Sequence, residues 1–128
     1  PAKKHLWPGL KDLYAQQDPD TIDVEELKQR FLVTIALEAA RVMEEGIVTD
    51  PREADVGSIL AFGFAPYTGG ALSYIDGIGA AEFVKLAKKL QKKYGAQFKA
   101  PKLLVEMADK GETFYGRFNP YPKAKKAA

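Results

Sequence analysis

Residues 39–79 read AARVMEEGIVTDPREADVGSILAFGFAPYTGGALSYIDGIG. Two helix signals meet there in a loop dense in glycine, proline and aromatic residues. Upstream, Val24, Leu27, Phe31, Ile35, Leu37, Ala39, Val42 and Met43 recur mostly three and four apart, the spacing of one helix face. Asp23 stands at the cap with Glu26 three residues on, and Gly46 stands where a helix stops through a left-handed residue. A helix over residues 23–45 would be about 35 Å long. Leu32, Val33 and Ala36 widen its apolar face, which predicts a central helix touched from more than one side. A second helix starts at Asp50 as cap, with Pro51 in the first turn and Glu53 completing the box. It should run to about Ala61 and bury Ala54, Ile59 and Leu60. Gly57 inside it costs about 1 kcal/mol against alanine, and close approach of another helix would account for it.

The loop over residues 62–70, FGFAPYTGG, combines unusual backbone freedom with apolar mass from Phe62, Phe64 and Tyr67. Glycine-rich loops can cradle phosphates. This one is apolar, has no lysine after it and matches no P-loop. The reading is a buried, rigid connection between helices. Beyond it come a short helix over residues 70–76, ended by Gly77 and Gly79, and a longer one over residues 80–94. The longer helix sets Phe83, Leu86, Ala87, Leu90 and Tyr94 on one face and Lys85, Lys88, Lys89, Lys92 and Lys93 on the others. A basic amphipathic helix can meet a membrane surface or an acidic partner, but a packing helix with a solvated lysine face is the simpler reading. Pro101 opens a last helix that Gly111 stops, and Thr113, Phe114 and Tyr115 follow as a closing clasp. No period-2 pattern marks a strand, so the predicted fold class is all-α. The expected organisation is an arm over residues 1–20, a helical domain over 21–115 and a frayed tail over 116–128. In the arm, Trp7 and Leu10 would strap onto the core or onto a partner domain.

A chain of 128 residues is one domain by length. Its net charge of +2 does not point to nucleic acid. It has no cysteine, and its single histidine, His5, excludes a multi-histidine metal site within these residues. No apolar run approaches the roughly 20 residues of a membrane span. The chain does not begin with methionine and shows no signal peptide, so a segment of a longer, cytoplasmic protein is expected. Its last residues are not a peroxisomal address.

Candidate acids are Glu38, Glu44, Glu45, Asp50, Glu53, Asp55 and Asp76. Glu38 lies near an apolar helix face, where burial would raise its pKa for acid–base work. The plainer alternative is a partly exposed residue or one bonded to the loop backbone. Asp55 and Asp76 flank the loop and can bond its amides. Ser58, Thr68 and Ser73 have no histidine partner, and no set passes as catalytic.

Several motifs, taken in order, carry a resemblance. They are Glu38-Ala39-Ala40-Arg41 followed by Glu45-Gly46-Ile47-Val48, then Asp55-Val56-Gly57, then Gly63-Phe64-Ala65-Pro66-Tyr67-Thr68-Gly69-Gly70, then Tyr74-Ile75-Asp76. Together they resemble the C-terminal helical domain of 3-hydroxyacyl-CoA dehydrogenases, most closely the second of two tandem helical domains in multifunctional fatty-acid oxidation alpha subunits. Lys92-Lys93-Tyr94-Gly95, Phe98, Pro101, Leu103-Leu104 and Gly111-Glu112-Thr113-Phe114-Tyr115 are similar to that family's closing segment, and Leu6-Trp7-Pro8-Gly9-Leu10 to the linker before it. The resemblance implies a bundle of the 6-phosphogluconate dehydrogenase C-terminal-domain-like type. It also implies a parent that oxidises L-3-hydroxyacyl-CoA to 3-ketoacyl-CoA with NAD, fused to an enoyl-CoA hydratase. The family's dinucleotide fingerprint and His–Glu pair are absent, and Lys28-Gln29-Arg30-Phe31-Leu32 lacks the asparagine that the family's catalytic helical domain carries. No catalytic, cofactor-binding or metal residue is therefore assigned, NAD is expected only in the parent, and the isolated chain is expected to be inactive. Glu38, Asp55, Gly63, Phe64, Pro66, Tyr67, Gly69, Gly70, Tyr74 and Asp76 are expected to have structural or interface roles. Expected partners are the preceding helical and nucleotide-binding domains, with a second copy of the chain and a thiolase subunit as further possibilities. The alternative function is a module that binds acyl-CoA or CoA, or docks a partner.

Overall fold

Asp23 accepts from the Glu26 N–H at 3.0 Å and starts helix α2 (Val24–Glu44), which organises the molecule. The computed structural model describes residues 3–119. The other helices are α1 (Leu10–Leu13), α3 (Pro51–Phe62), α4 (Ala71–Ile78), α5 (Ala80–Tyr94), α6 (Lys102–Lys110) and α7 (Phe114–Arg117), and the described residues contain no strand. α2 touches α3, α4, α6 and the 3-10 turn Ala96–Phe98, as its wide apolar face requires. Val33, Ala36, Leu37, Ala40 and Met43 on its inner side join one buried core with Leu72 and Ile75 of α4, Phe83 and Leu90 of α5, Leu104 and Met107 of α6, and Phe114 of α7. Full burial of each larger side chain contributes about 1.5–3 kcal/mol. No described helix is long and apolar enough to cross a membrane.

Polar joints fix the helices around this core. Glu26 accepts from Lys93 Nζ at 2.7 Å and from the Tyr94 hydroxyl, tying the start of α2 to the end of α5. The bonds of its carboxylate to Lys93 and Tyr94 thus run across the fold rather than back to Asp23 as a capping box would. The Arg30 guanidinium lies 3.9 Å over the Tyr94 ring. Arg41 pairs with Glu38 at 2.6 Å and donates to the carbonyls of Gln97 and Lys99 at 3.0 and 2.9 Å.

Several expectations are corrected by the packing. Val24 and Phe31 on α2 and Leu60 on α3 are exposed, because no element among the described residues covers those faces. A Cβ on Gly57 would meet nothing within 4 Å, so no helix approaches closely there. Asp50 caps through the Arg52 N–H and also binds the Arg52 side chain, so Glu53 completes no box with it. The arm leaves Leu6 and Trp7 exposed, and the Trp7 ring folds back over Gly9 instead of strapping the core. At the other end order continues past Tyr115. α7 runs to Arg117, and Phe118 stacks on Phe114 with ring centroids 6.2 Å apart. Residues 120–128 of the expected tail lie outside the described residues.

Candidate functional site

The loop between α3 and α4 is built from its first glycine. Gly63 ends α3 at φ +68, and the Phe64 N–H turns back to the Ser58 carbonyl at 3.0 Å. Only a residue at ease with positive φ closes a helix this way. The turn drives Phe64 inward, 2% exposed, edge-on to Tyr74, which in turn meets Phe83 edge-on. Phe62 points the other way, 78% exposed, and Tyr67 is 84% exposed. The loop is therefore not the wholly buried connection expected. Its backbone is pinned by Phe64, while two of its three large apolar side chains face outward. Pro66 opens the 3-10 turn Pro66–Thr68, and Gly69 closes it.

Beneath the loop lies a buried carboxylate. Asp55, 2% exposed, projects from α3 to the start of α4. It accepts from the Leu72 N–H at 2.7 Å, the Ser73 N–H at 3.1 Å, the Ser73 hydroxyl at 2.6 Å and the Tyr115 hydroxyl at 2.8 Å. Ser58, one helical turn on, donates to the Asp55 carbonyl and accepts from the Ala71 N–H at 3.1 Å. Gly70 precedes α4 at φ +124, and a Cβ there would fall on the Asp55 side chain. Glycine is thus required twice at one position, by conformation and by space. Burial and the bond to Asp55 hold the Tyr115 hydroxyl above its ordinary pKa of 10.0.

The same device recurs. Asp76 accepts from the Phe114 and Tyr115 N–H groups at 2.8 and 3.1 Å, at the start of α7. Burial lifts its pKa, those two amides pull it down, and the nearby Asp55 charge raises it again. Asp76 therefore bonds the closing clasp and not the loop amides. Glu44 accepts from the Leu103 N–H at 2.7 Å, at the start of α6. Gly70 and Pro101, the residues at the N-caps of α4 and α6, provide no side-chain cap. Carboxylates reaching across from α2 and α3 take that role, satisfying orphan amides where the helix dipole favours negative charge.

This arrangement decides what the loop can hold. The amides that start α4 are the group a phosphate would use. They are already taken by Asp55, whose negative charge would repel a phosphate. Glu38 is likewise no buried acid: its side chain is 66% exposed and paired with Arg41. Among the described residues no three His, Cys, Asp or Glu side chains converge as a metal site would need. Tyr74 is half-buried, and burial raises its pKa. Ser58, Ser73, Tyr115 and Glu44 went unassigned in the sequence reading because their partners lie 13 to 60 residues away. Only the Asp55–Ser58 spacing of one turn left a local trace.

No family model matches the chain. It is 44% identical over 90 residues to the fatty acid oxidation complex subunit alpha of Shewanella amazonensis, covering 70% of this chain and 13% of that protein. It is 41% identical over 96 residues to the subunit of the same name in Shewanella halifaxensis, covering 73% of this chain and 14% of that protein. The chain is homologous to a segment of the fatty acid oxidation complex alpha subunit. Its motif resemblance is thereby matched by identity across most of its length, and it spans only 13–14% of these relatives.

Proposed function

We propose that this chain is a non-catalytic helical domain of a fatty-acid beta-oxidation alpha subunit, and that it braces a neighbouring helical domain. On this reading the parent oxidises 3-hydroxyacyl-CoA with NAD, and both cofactor and catalytic residues reside elsewhere in it. The bundle is of the 6-phosphogluconate dehydrogenase C-terminal-domain-like type.

One observation carries the bracing role. Val56, Leu60, Phe62 and Tyr67 on α3 and its loop are 56, 81, 78 and 84% exposed. Large apolar side chains gathered on one helix and its loop mark a covered surface in the complete protein. Gly57, open to solvent between Val56 and Leu60, leaves room for a partner helix. The relatives are about seven times longer than the matched segment, so there is ample chain to cover this face. Asp55 fixes the face from behind by locking α3 to α4.

The test is Leu60→Glu combined with Phe62→Glu in the full-length parent and in the isolated chain. The isolated chain should melt as the wild type does, because neither residue packs within it. The parent should lose stability and NADH oxidation with acetoacetyl-CoA. Unchanged activity and unchanged melting of the parent would refute the bracing role. The isolated chain is expected to cover the same face by pairing with a second copy. A monomeric mass by light scattering at every concentration would count against that.

A further inference from the structure

α5 carries a second surface, on a different helix from the apolar face of α3. Its 15 residues hold five lysines and one glutamate, while the whole 128-residue chain has a net charge of only +2. The rest of the molecule is therefore net negative, although 14 of the 19 basic residues lie outside α5. Lys85, Lys88, Lys89 and Lys92 stand at i, i+3, i+4 and i+7, a straight row on one face about 10 Å long. With Lys93 they form one open surface along the helix. Two of the five are engaged: Lys85 binds Glu82 at 2.6 Å, and Lys93 binds Glu26 at 2.7 Å. Among the described residues Lys88, Lys89 and Lys92 form no ion pair, and all three are exposed. Lys89 acts on Glu26 only at longer range.

The shape of this surface narrows the partner. One exposed helix lines it, whereas small-molecule sites are concave and drawn from several elements. Lysine is a mobile point charge, without the planar fork that arginine offers to a phosphate. α5's large apolar residues turn inward, with Phe83, Val84 and Leu90 buried and Leu86 and Tyr94 half-buried, so none is free to enter a lipid bilayer. What complements a row of three unpaired ammonium groups at helical spacing is a row of carboxylates at the same spacing. The structure contains one such solution in miniature, where Glu26 of α2 neutralises Lys93.

We infer that the Lys88, Lys89 and Lys92 row is a docking surface for an acidic helix of another protein segment. The occupant presents Glu or Asp one helical turn apart, at i and i+3 or i+4, toward the Lys88, Lys89 and Lys92 cluster of α5. This inference is independent of the bracing role, since it concerns another helix and another chemistry.

The experiment uses the whole chain and a helix-forming peptide with glutamates at those positions, beside its glutamine counterpart. Binding is followed by fluorescence anisotropy at low and raised salt. The glutamate peptide should bind, weaken with salt and lose about tenfold affinity to the Lys88→Gln, Lys89→Gln, Lys92→Gln triple variant, since exposed pairs contribute modestly each. That variant should keep the wild-type melting temperature. A second variant, Lys3→Gln, Lys4→Gln, Lys11→Gln, removes equal charge from the arm and should bind as the wild type does. Equal weakening by both variants would reduce the effect to net charge and overturn the inference. So would equal binding of the two peptides. Retention on phosphatidylserine vesicles, or saturable binding of CoA, without binding of the glutamate peptide would overturn it in favour of a lipid or a phosphate ligand.

Discussion

Asp55 is the residue on which the joint between α3 and α4 depends most. Asp55→Ala deletes a carboxylate that accepts from two backbone amides and two hydroxyls. Bonds to a charged acceptor are worth about 1.5–3 kcal/mol each, and a buried donor left without a partner costs about 1–3 kcal/mol. Ser73 and Tyr115 are partly accessible, so water can recover part of their loss. The Leu72 amide is buried and cannot be reached so easily. The expected sum is about 4 kcal/mol, against a total of roughly 5–15 kcal/mol for a domain. In a domain of this size that lowers Tm by about 15 °C. Asp55→Asn keeps one acceptor oxygen for Leu72 but turns an NH2 group toward other donors, so about half the loss is expected. Tyr115→Phe removes one bond and should cost about 1 kcal/mol. Urea unfolding followed by circular dichroism would measure all three, with an unchanged m-value showing that stability alone has moved. If Asp55→Ala fell within about 1 kcal/mol of the wild type, capping across the fold would not be what joins α3 to α4.

Further tests separate the remaining roles. Phe64→Ala should cost about 3–5 kcal/mol as a buried aromatic deletion, while Phe62→Ala, two residues earlier and exposed, should leave the isolated chain within about 0.5 kcal/mol. The acid limb of stability should respond in opposite senses to two carboxylates. Bonds from Lys93 and Tyr94 hold Glu26 below its ordinary 4.5, so its contribution is present above that value and is lost as pH falls through the lowered one. Burial holds Asp76 above 3.8, so the fold favours its protonated form and stability declines as pH rises from 3.8 through the raised value. Tm measured against pH should therefore flatten in acid for Glu26→Gln and steepen for Asp76→Asn; the reverse pattern would refute both assignments. Tyr115 should ionise later than a free tyrosine in an absorbance titration, and earlier once Asp55→Asn removes the neighbouring charge.

The backbone plan was legible in the sequence where the signal was local. Asp23, Asp50, Gly46 and Gly111 mark helix ends through their own bonds or φ values, and the structure places the ends beside them. Which apolar residues face inward was less legible, and the reason is physical. Periodicity identifies a helix's apolar stripe, but it does not distinguish a stripe covered by the same chain from one covered by another. Leu60 and Phe31 satisfied the pattern and are exposed. Phe62 and Phe64 are chemically identical neighbours sent to opposite sides by the left-handed turn at Gly63.

The acids teach a related lesson. Proximity to a glycine loop and partial burial make Asp55 and Asp76 look like site residues, and the same features would accompany a catalytic carboxylate. What distinguishes them is how their oxygens are used. Asp55 spends both on the amides and hydroxyls around the start of α4 and on Tyr115, and Asp76 spends both on the start of α7. A general base must keep an oxygen free for a substrate proton. Asp55, like Glu44, instead does what a local Ser, Thr or Asp cap would do, at helix starts preceded by glycine and proline, whereas Asp76 adds to the local Thr113 cap of α7. At Gly70 the backbone demands positive φ and space for Asp55, so no capping side chain can occupy the position. The cap has to come from another helix, and the domain gains a tertiary lock from a local deficiency. That lock holds the exposed face of α3 rigid, the property a bracing surface requires.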